Sequence, residues 1–242
     1  MKSNKKYENG DYWLSVSDMM SGLMFIFLLI SVIYMREVTK ERNELKEKSE
    51  NIQIVSQEFE NTKEKISQAL ISEFKGDLPK WNAEIEGTIF RFKSPDILFK
   101  KGKSELNNEF KTILSEFFPR YIRVLSEFKH EIEEIRIEGH TSSKWNKNST
   151  REESYLKNAQ LSQERALKVL NYSISQTEIK QHFEWLILVL RSNGLSFSKA
   201  IKNNGVEDFT ASRRVEFKVT TNSEKQLEKI KYMIKNIEKG EK

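Results

Sequence analysis

An α+β domain, carried on a single N-terminal transmembrane helix through a helical, coiled-coil-like linker, is the architecture this sequence predicts. Three observations predict it: an uninterrupted apolar run at residues 13–35, a charge-dense segment beneath which a seven-residue apolar repeat runs, and alternating strand-period and helix-period stretches from Trp81 onward. The chain has 242 residues, of which 37 % are hydrophobic and 32 % charged, but the two kinds are unevenly distributed. At roughly 150 residues per domain, one globular domain plus extra elements is expected.

The apolar run reads "WLSVSDMMSGLMFIFLLISVIYM". At 1.5 Å per residue it spans about 34 Å, enough for a hydrocarbon core of roughly 30 Å. Tyr12, Trp13 and Tyr34 sit at its ends, where aromatic rings favour the membrane interface, and Arg36 and Glu37 stop it. No small-x-small cleavage site follows the run, and it exceeds the core of a secretory signal, so an uncleaved anchor is expected. Lys2, Lys5 and Lys6 precede it, and Arg36, Lys40, Arg42, Lys46 and Lys48 follow; counting positive charges does not place the N-terminus inside.

Asp18 lies about 7–8 Å along the helix from Trp13. A carboxylate at that depth marks an ion path or a partner contact, unless headgroup water reaches it. Asp18, Ser21, Gly22 and Phe25 share one narrow face, with Ser17 beside it, and such a face packs closely against another helix. A lone helix cannot build a conduction path, so an ion-carrying Asp18, flanked by Ser17 and Ser21, implies a membrane partner.

Residues 36–50 hold ten charged side chains, five of each sign. Val38, Leu45, Ile52, Phe59 and Ile66 recur at spacing seven, whereas the second seam (Glu41, Lys48, Val55, Thr62, Ala69) turns apolar only late. Either two copies pair or the helix packs against a partner, or else a single solvated helix acts as a spacer. Gly76 and Pro79 end the pattern.

Beyond Trp81, "AEIEGTIFRFKSPDILF" has strand spacing around Gly87, and "SELNNEFKTILSEFFPRYIRVLSEF" reads as a helix that Pro119 can kink. "EIEEIRIEGH" is a buried strand, and residues 142–154 are a polar loop. "YLKNAQLSQERALKVLNYSI" is an amphipathic helix, and "TEIKQHFEWLILVLRSNG" reads as further helix ending at Asn193 and Gly194. "RRVEFKV" is a last strand, and residues 224–237 place Leu227, Ile230, Ile234 and Ile237 on one helical face. One sheet covered by helices on a single face fits this order.

Absences narrow the function. There is no cysteine, hence no disulfide and no thiolate metal site. His130, His140 and His182 show no zinc-ligand spacing, and neither Gly-x-Ser-x-Gly nor a phosphate-binding glycine loop occurs. No metal, no cofactor and no enzymatic activity are expected, and His140 reads as a capping side chain. The formal charge of +5 is scattered among acids, which argues against nucleic-acid binding.

Three motifs carry a resemblance: "ILFKKGKSEL" at 97–106, "IRIEGHTSS" at 135–143 with "NAQLSQERA" at 158–166, and "SRRVEF" at 212–217. Together they resemble an OmpA-like peptidoglycan-binding domain. The opening "WLSVSDMMSGLMFIFLL" resembles the transmembrane helix of MotB-type stator subunits, most of all those of Zorya anti-phage defence systems. The resemblance implies a cytoplasmic tail at 1–11, a transmembrane helix at 12–35, a linker at 36–78, a periplasmic domain at 79–222 and a helical tail at 223–242. It implies a single-pass inner-membrane protein, dimeric within a ring of MotA- or ZorA-like multi-helix subunits, with Asp18 carrying protons or sodium ions. A flagellar-type stator or a passive envelope tether are the competing readings.

The family's ligand site carries over to Thr141, Asn158, Leu161, Arg165 and Arg213, and to Ser142 where the family has an aspartate. A serine cannot supply the negative charge that pairs with a ligand ammonium, so Glu152 or Glu153 is a candidate substitute acid, or binding is weaker, or it is to a different partner. Arg213 and Arg214 should point to opposite faces of their strand.

Overall fold

The computed structural model describes residues 8–93, 98–100, 102–222 and 228. Most of the expected cytoplasmic tail, and the expected C-terminal helix apart from residue 228, lie outside these residues. The chain divides into two compact units, Met1–Ile54 and Val55–Lys242. Helix α1 (Glu8–Phe74) contributes residues to both.

In the first unit, consecutive side chains from Val16 to Lys46 are exposed, including Met19, Met24, Phe25, Phe27, Leu28 and Leu29. Consecutive helical residues point around the whole circumference, so between Met19 and Met35 this helix is largely apolar on every side. That pattern suits lipid and not water. The helix is long and apolar enough to cross a membrane. Val38 and Leu45 of the seven-residue repeat are also exposed on the single chain.

The second unit is built on a five-stranded mixed sheet, ordered β1-β2-β7-β3-β4. Its strands are β1 (Ala83–Glu86), β2 (Ile89–Phe92), β3 (Ile132–Gly139), β4 (Leu190–Gly194) and β7 (Val215–Thr221), and only the β3–β4 pair is parallel. The short ribbon β5 (Lys202–Asn203) and β6 (Val206–Glu207) stands apart from it. Strand alternation gives the sheet two unlike faces. Phe90, Phe217 and Ile137 are cross-strand neighbours on the apolar face, as are Phe92 with Val215 and Ile135 with Val219.

Helix α2 (Asn108–Ser126) buries Phe110, Leu114, Phe117, Tyr121 and Leu125, at three- and four-residue spacing. It continues through Pro119, whose ring is accommodated within the helix. Phe117 is central: its ring lies 4.5 Å from that of Phe90, 4.9 Å from Phe217, 5.1 Å from Phe92 and 5.3 Å from Phe74. Each such pair contributes roughly 0.5–1.5 kcal/mol beyond area burial.

Phe74 belongs to α1, and with Ile66 and Leu70 it is fully buried in this core. These residues are spaced four apart, one stripe of the helix. The seam of the repeat turns apolar late because α1 enters the domain there. Arg120 of α2 fixes the end of α1: its guanidinium stacks on the Phe74 ring at 4.8 Å and bonds Glu73 (2.7 Å) and Asp77 (2.9 Å).

Helix α3 (Arg151–Ile174) begins four residues before the expected "YLKNAQ" start. Thr150 and Glu153 form a reciprocal capping box, which draws residues 151–154 out of the polar loop. The stretch read as helix up to Gly194 is composite: a 3-10 turn (Thr177–His182), a short helix α4 (Phe183–Val189), then the edge strand β4. A short apolar run carries no period that separates helix from buried strand, so "LVLRSNG" could not announce the change. A last turn of helix, α5 (Phe209–Ser212), is capped by the Asp208 carboxylate and leads into β7.

Candidate functional site

The end of β3, one face of α3 and the start of β7 converge on a cavity of about 360 Å³. Thr141, Ser142, Asn158, Leu161, Arg165 and Arg213 all line it. Asn158, Leu161 and Arg165 are spaced three and four apart, so they share one face of α3. Thr141 and Ser142 extend β3, with the Thr141 amide held by the Ser196 carbonyl at 2.9 Å. Arg213 lines the cavity while Arg214 turns to Glu216; both precede β7, which begins at Val215, so their opposite directions are set in the link from the preceding helical turn and not within the expected strand.

Arg165 is buried and positioned from two sides. Its Nε donates to the Lys103 carbonyl at 3.0 Å, and its guanidinium lies 4.7 Å from the centre of the Phe99 ring. Three other donors around the cavity are buried without a hydrogen-bond partner: Thr141 Oγ1, Asn158 Nδ2 and Arg213 Nε. Unsatisfied buried donors are costly, and a cluster of them around one cavity points to acceptor oxygens of a ligand.

The cavity also contains Gly102, Lys144, Trp145 and Phe209, with the Lys144 ammonium 3.9 Å from the Phe209 ring centre. Sequence reasoning missed these four; an aromatic next to a cation in an otherwise polar loop was the signal at 144–145. Among the described residues the lining has three cations and no carboxylate. Neither acid proposed to replace the missing aspartate lines the cavity, and Glu153 is engaged in the capping box. Glu207 lines the neighbouring cleft, where it accepts from the Ser143 amide at 2.9 Å and from the Ser143 hydroxyl.

His140, expected to be a capping group, caps nothing with its ring. Both ring nitrogens are buried without a hydrogen bond, because the side chain turns to the polar face of the sheet between Glu138 and Glu216. Burial pushes the Glu216 carboxyl up, but the His140 imidazole and the Arg214 guanidinium outweigh it and hold it well below the usual carboxylate range. Burial likewise opposes ionisation of Glu138, and His140 with Lys199 outweighs that in turn.

In the apolar helix, the Ser21 hydroxyl donates to the Ser17 carbonyl at 2.8 Å, which satisfies the serine within its own helix. Among the described residues none pairs with the Asp18 carboxylate, and a Cβ added at Gly22 would meet nothing. This face is therefore open to a neighbour.

Residues 98–207 match the OmpA family, so the fold and the cavity define an OmpA-family domain that follows an apolar N-terminal helix. Over 229 residues the chain is 42 % identical to the Zorya protein ZorB of Escherichia coli, covering 93 % of this chain and 94 % of that protein. The chain belongs to the ZorB family. Among solved structures, it is similar to the cell wall anchor of the T6SS from Pseudomonas aeruginosa (20 % identity, TM-score 0.44, covering 63 % of this chain and 97 % of that one). It is also similar to a MotB-like protein from Desulfovibrio vulgaris (18 % identity, TM-score 0.45, covering 66 % and 91 %).

Proposed function

We propose that this chain is the wall-anchored, stator-like subunit of an ion-driven inner-membrane motor acting in anti-phage defence. Its domain grips peptidoglycan in the periplasm, its N-terminus is cytoplasmic, and Asp18, with Ser17 and Ser21 beside it, carries protons or sodium ions against a ring of ZorA-like subunits surrounding a dimer of this chain. The observation that carries the wall-binding half is the set of partnerless donors around Arg165. It is supported by membership in the ZorB family and by the OmpA-family domain.

The composition of the cavity refines the ligand. Thr141, Asn158, Arg165 and Arg213 suit a carboxylate of the peptide stem, which an arginine binds through a two-pronged contact. With Ser142 in place of an acid, a stem ammonium is left without an ionic partner. Arg165→Ala is expected to weaken sedimentation with purified cell wall about ten- to hundredfold, the loss of roughly 1.5–3 kcal/mol for hydrogen bonds to a charged group. Unchanged sedimentation of a folded Arg165→Ala protein would place the ligand elsewhere. Ser142→Asp should act in the opposite sense and tighten binding of stems that carry a free ammonium, with no gain for stems in which it is acetylated. Equal effects on both stems would refute the assignment of that position.

A further inference from the structure

We propose that Glu138, His140 and Glu216 form a binding site for one divalent metal ion of the zinc class. The site lies on the polar face of the sheet, separate from the cavity around Arg165, and does not depend on the wall-binding reading. Glu138 and Glu216 face each other across β3 and β7 in register, and His140 follows β3 directly. All three are at least nine-tenths buried. One ligand atom from each lies within 4.8 Å of the others.

The spacing distinguishes a metal site from a hydrogen-bonded cluster. His140 Nε2 is 3.3 Å from Glu216 Oε2 and 3.5 Å from Glu138 Oε2. A charge-assisted N–H···O bond closes to about 2.7–2.9 Å. Metal–ligand bonds of about 2.0–2.1 Å in a tetrahedron separate neighbouring ligand atoms by about 3.3–3.4 Å. The two gaps from His140, 3.3 and 3.5 Å, are close to such an edge, and the two carboxylate oxygens lie within 4.8 Å of each other. His140 Nε2 and Glu138 Oε2 also have no hydrogen-bond partner, which a metal ion would supply to both at once.

The surroundings orient the ligands. Arg91 Nε and Arg214 Nε both donate to Glu216 Oε1, each at 2.6 Å, which leaves Oε2 turned toward the histidine. Such outer contacts fix a ligating carboxylate. Lys199 Nζ, 3.7 Å from Glu138 Oε2, is half exposed and can swing into solvent as an ion enters. One nitrogen and two carboxylate oxygens form a mixed ligand set that suits zinc better than calcium or magnesium. Water supplies the fourth position. A bound ion would tie β3 to β7 next to Thr141, at the rim of the cavity.

The test uses the full-length protein in detergent, stripped with chelator and dialysed. Zinc chloride titration followed by calorimetry and metal analysis should show one tightly bound zinc per chain. His140→Gln and Glu138→Gln should each weaken it at least a hundredfold, with unchanged far-ultraviolet dichroism. Cobalt(II) added to the wild-type chain gives a second readout that needs no variant: an intense visible band of a four-coordinate site, bleached by one equivalent of zinc. No stoichiometric zinc, a six-coordinate cobalt spectrum, or zinc binding unaltered in both variants would overturn the proposal.

Discussion

Asp18→Asn is expected to abolish ion conduction and phage protection while leaving the helix in the membrane and the complex assembled. Asparagine keeps the size and most of the hydrogen-bonding capacity of aspartate and removes only the titratable charge. A charged residue inside a membrane helix costs up to roughly 2.5–3.5 kcal/mol at the helix centre and less toward the end where Asp18 lies, so replacement makes insertion no harder. The Ser21 hydroxyl beside it is satisfied within its own helix, and the proposed ion-carrying role is the use that would require the Asp18 charge. Moving one elementary charge through 100 mV releases about 2.3 kcal/mol, so a few ions suffice for a large conformational step. The measurement is phage plaquing efficiency together with ion flux in vesicles, alongside co-purification of the multi-helix partner. Full protection by an assembled Asp18→Asn complex would eliminate the ion-carrier role and leave a passive tether.

The second large effect is expected from Gly139→Ala, a single added methyl group. A Cβ at this position would lie 2.3 Å from the Ser162 carbonyl oxygen and 3.2 Å from its carbon, both backbone atoms of α3. Backbone cannot turn aside as a side chain does, so the helix must lift from β3. Overpacking costs about 1–3 kcal/mol in general, and this rigid contact belongs at the upper end or above. For a domain of this size, about 3 kcal/mol lowers the thermal midpoint by about 6–12 °C. Because Leu161 and Arg165 flank Ser162 on the same helix, wall binding should fall with stability, an effect that a loosened core elsewhere would not produce. A thermal midpoint within a degree of wild type would show that helix and strand are not in this contact. Gly194, whose Cβ would lie 2.3 Å from the Gln163 amide nitrogen, belongs to the same seam.

Much of this was legible in the sequence, for reasons that differ from element to element. The alternation at Ile135 and Ile137, and at Val215, Phe217 and Val219, gave β3 and β7 because period two has no helical counterpart. The α+β class and the OmpA-like domain followed from that order and from the motifs, and they are what the structure and the family match show. The six proposed ligand residues converge on one cavity, although sequence alone could place only those on α3 on a common face. What stayed hidden depended on chain folding over distance. Strand β4 begins inside an apolar run with no period of its own. Lys144 and Trp145 reach the cavity from one loop and Phe209 from the start of α5, far away in sequence. Glu138 and Glu216 become neighbours only through the antiparallel register of two strands, and no local spacing encodes it. The Thr150–Glu153 capping box, by contrast, is a local pattern that marks the true start of α3, yet residues 142–154 lack apolar periodicity and therefore read as loop.

The way α1 ends has a mechanical meaning. Ile66, Leu70 and Phe74 are sunk in the core, and Arg120 clasps Glu73 and Asp77 at the helix end. A pull along residues 66–74 therefore loads three packed side chains and two ion pairs in shear, together and in parallel, instead of peeling one contact at a time. Between residues 66 and 77 the joint behaves as a splice and not as a swivel: a load applied at Ile66 reaches the sheet through these packed side chains and ion pairs.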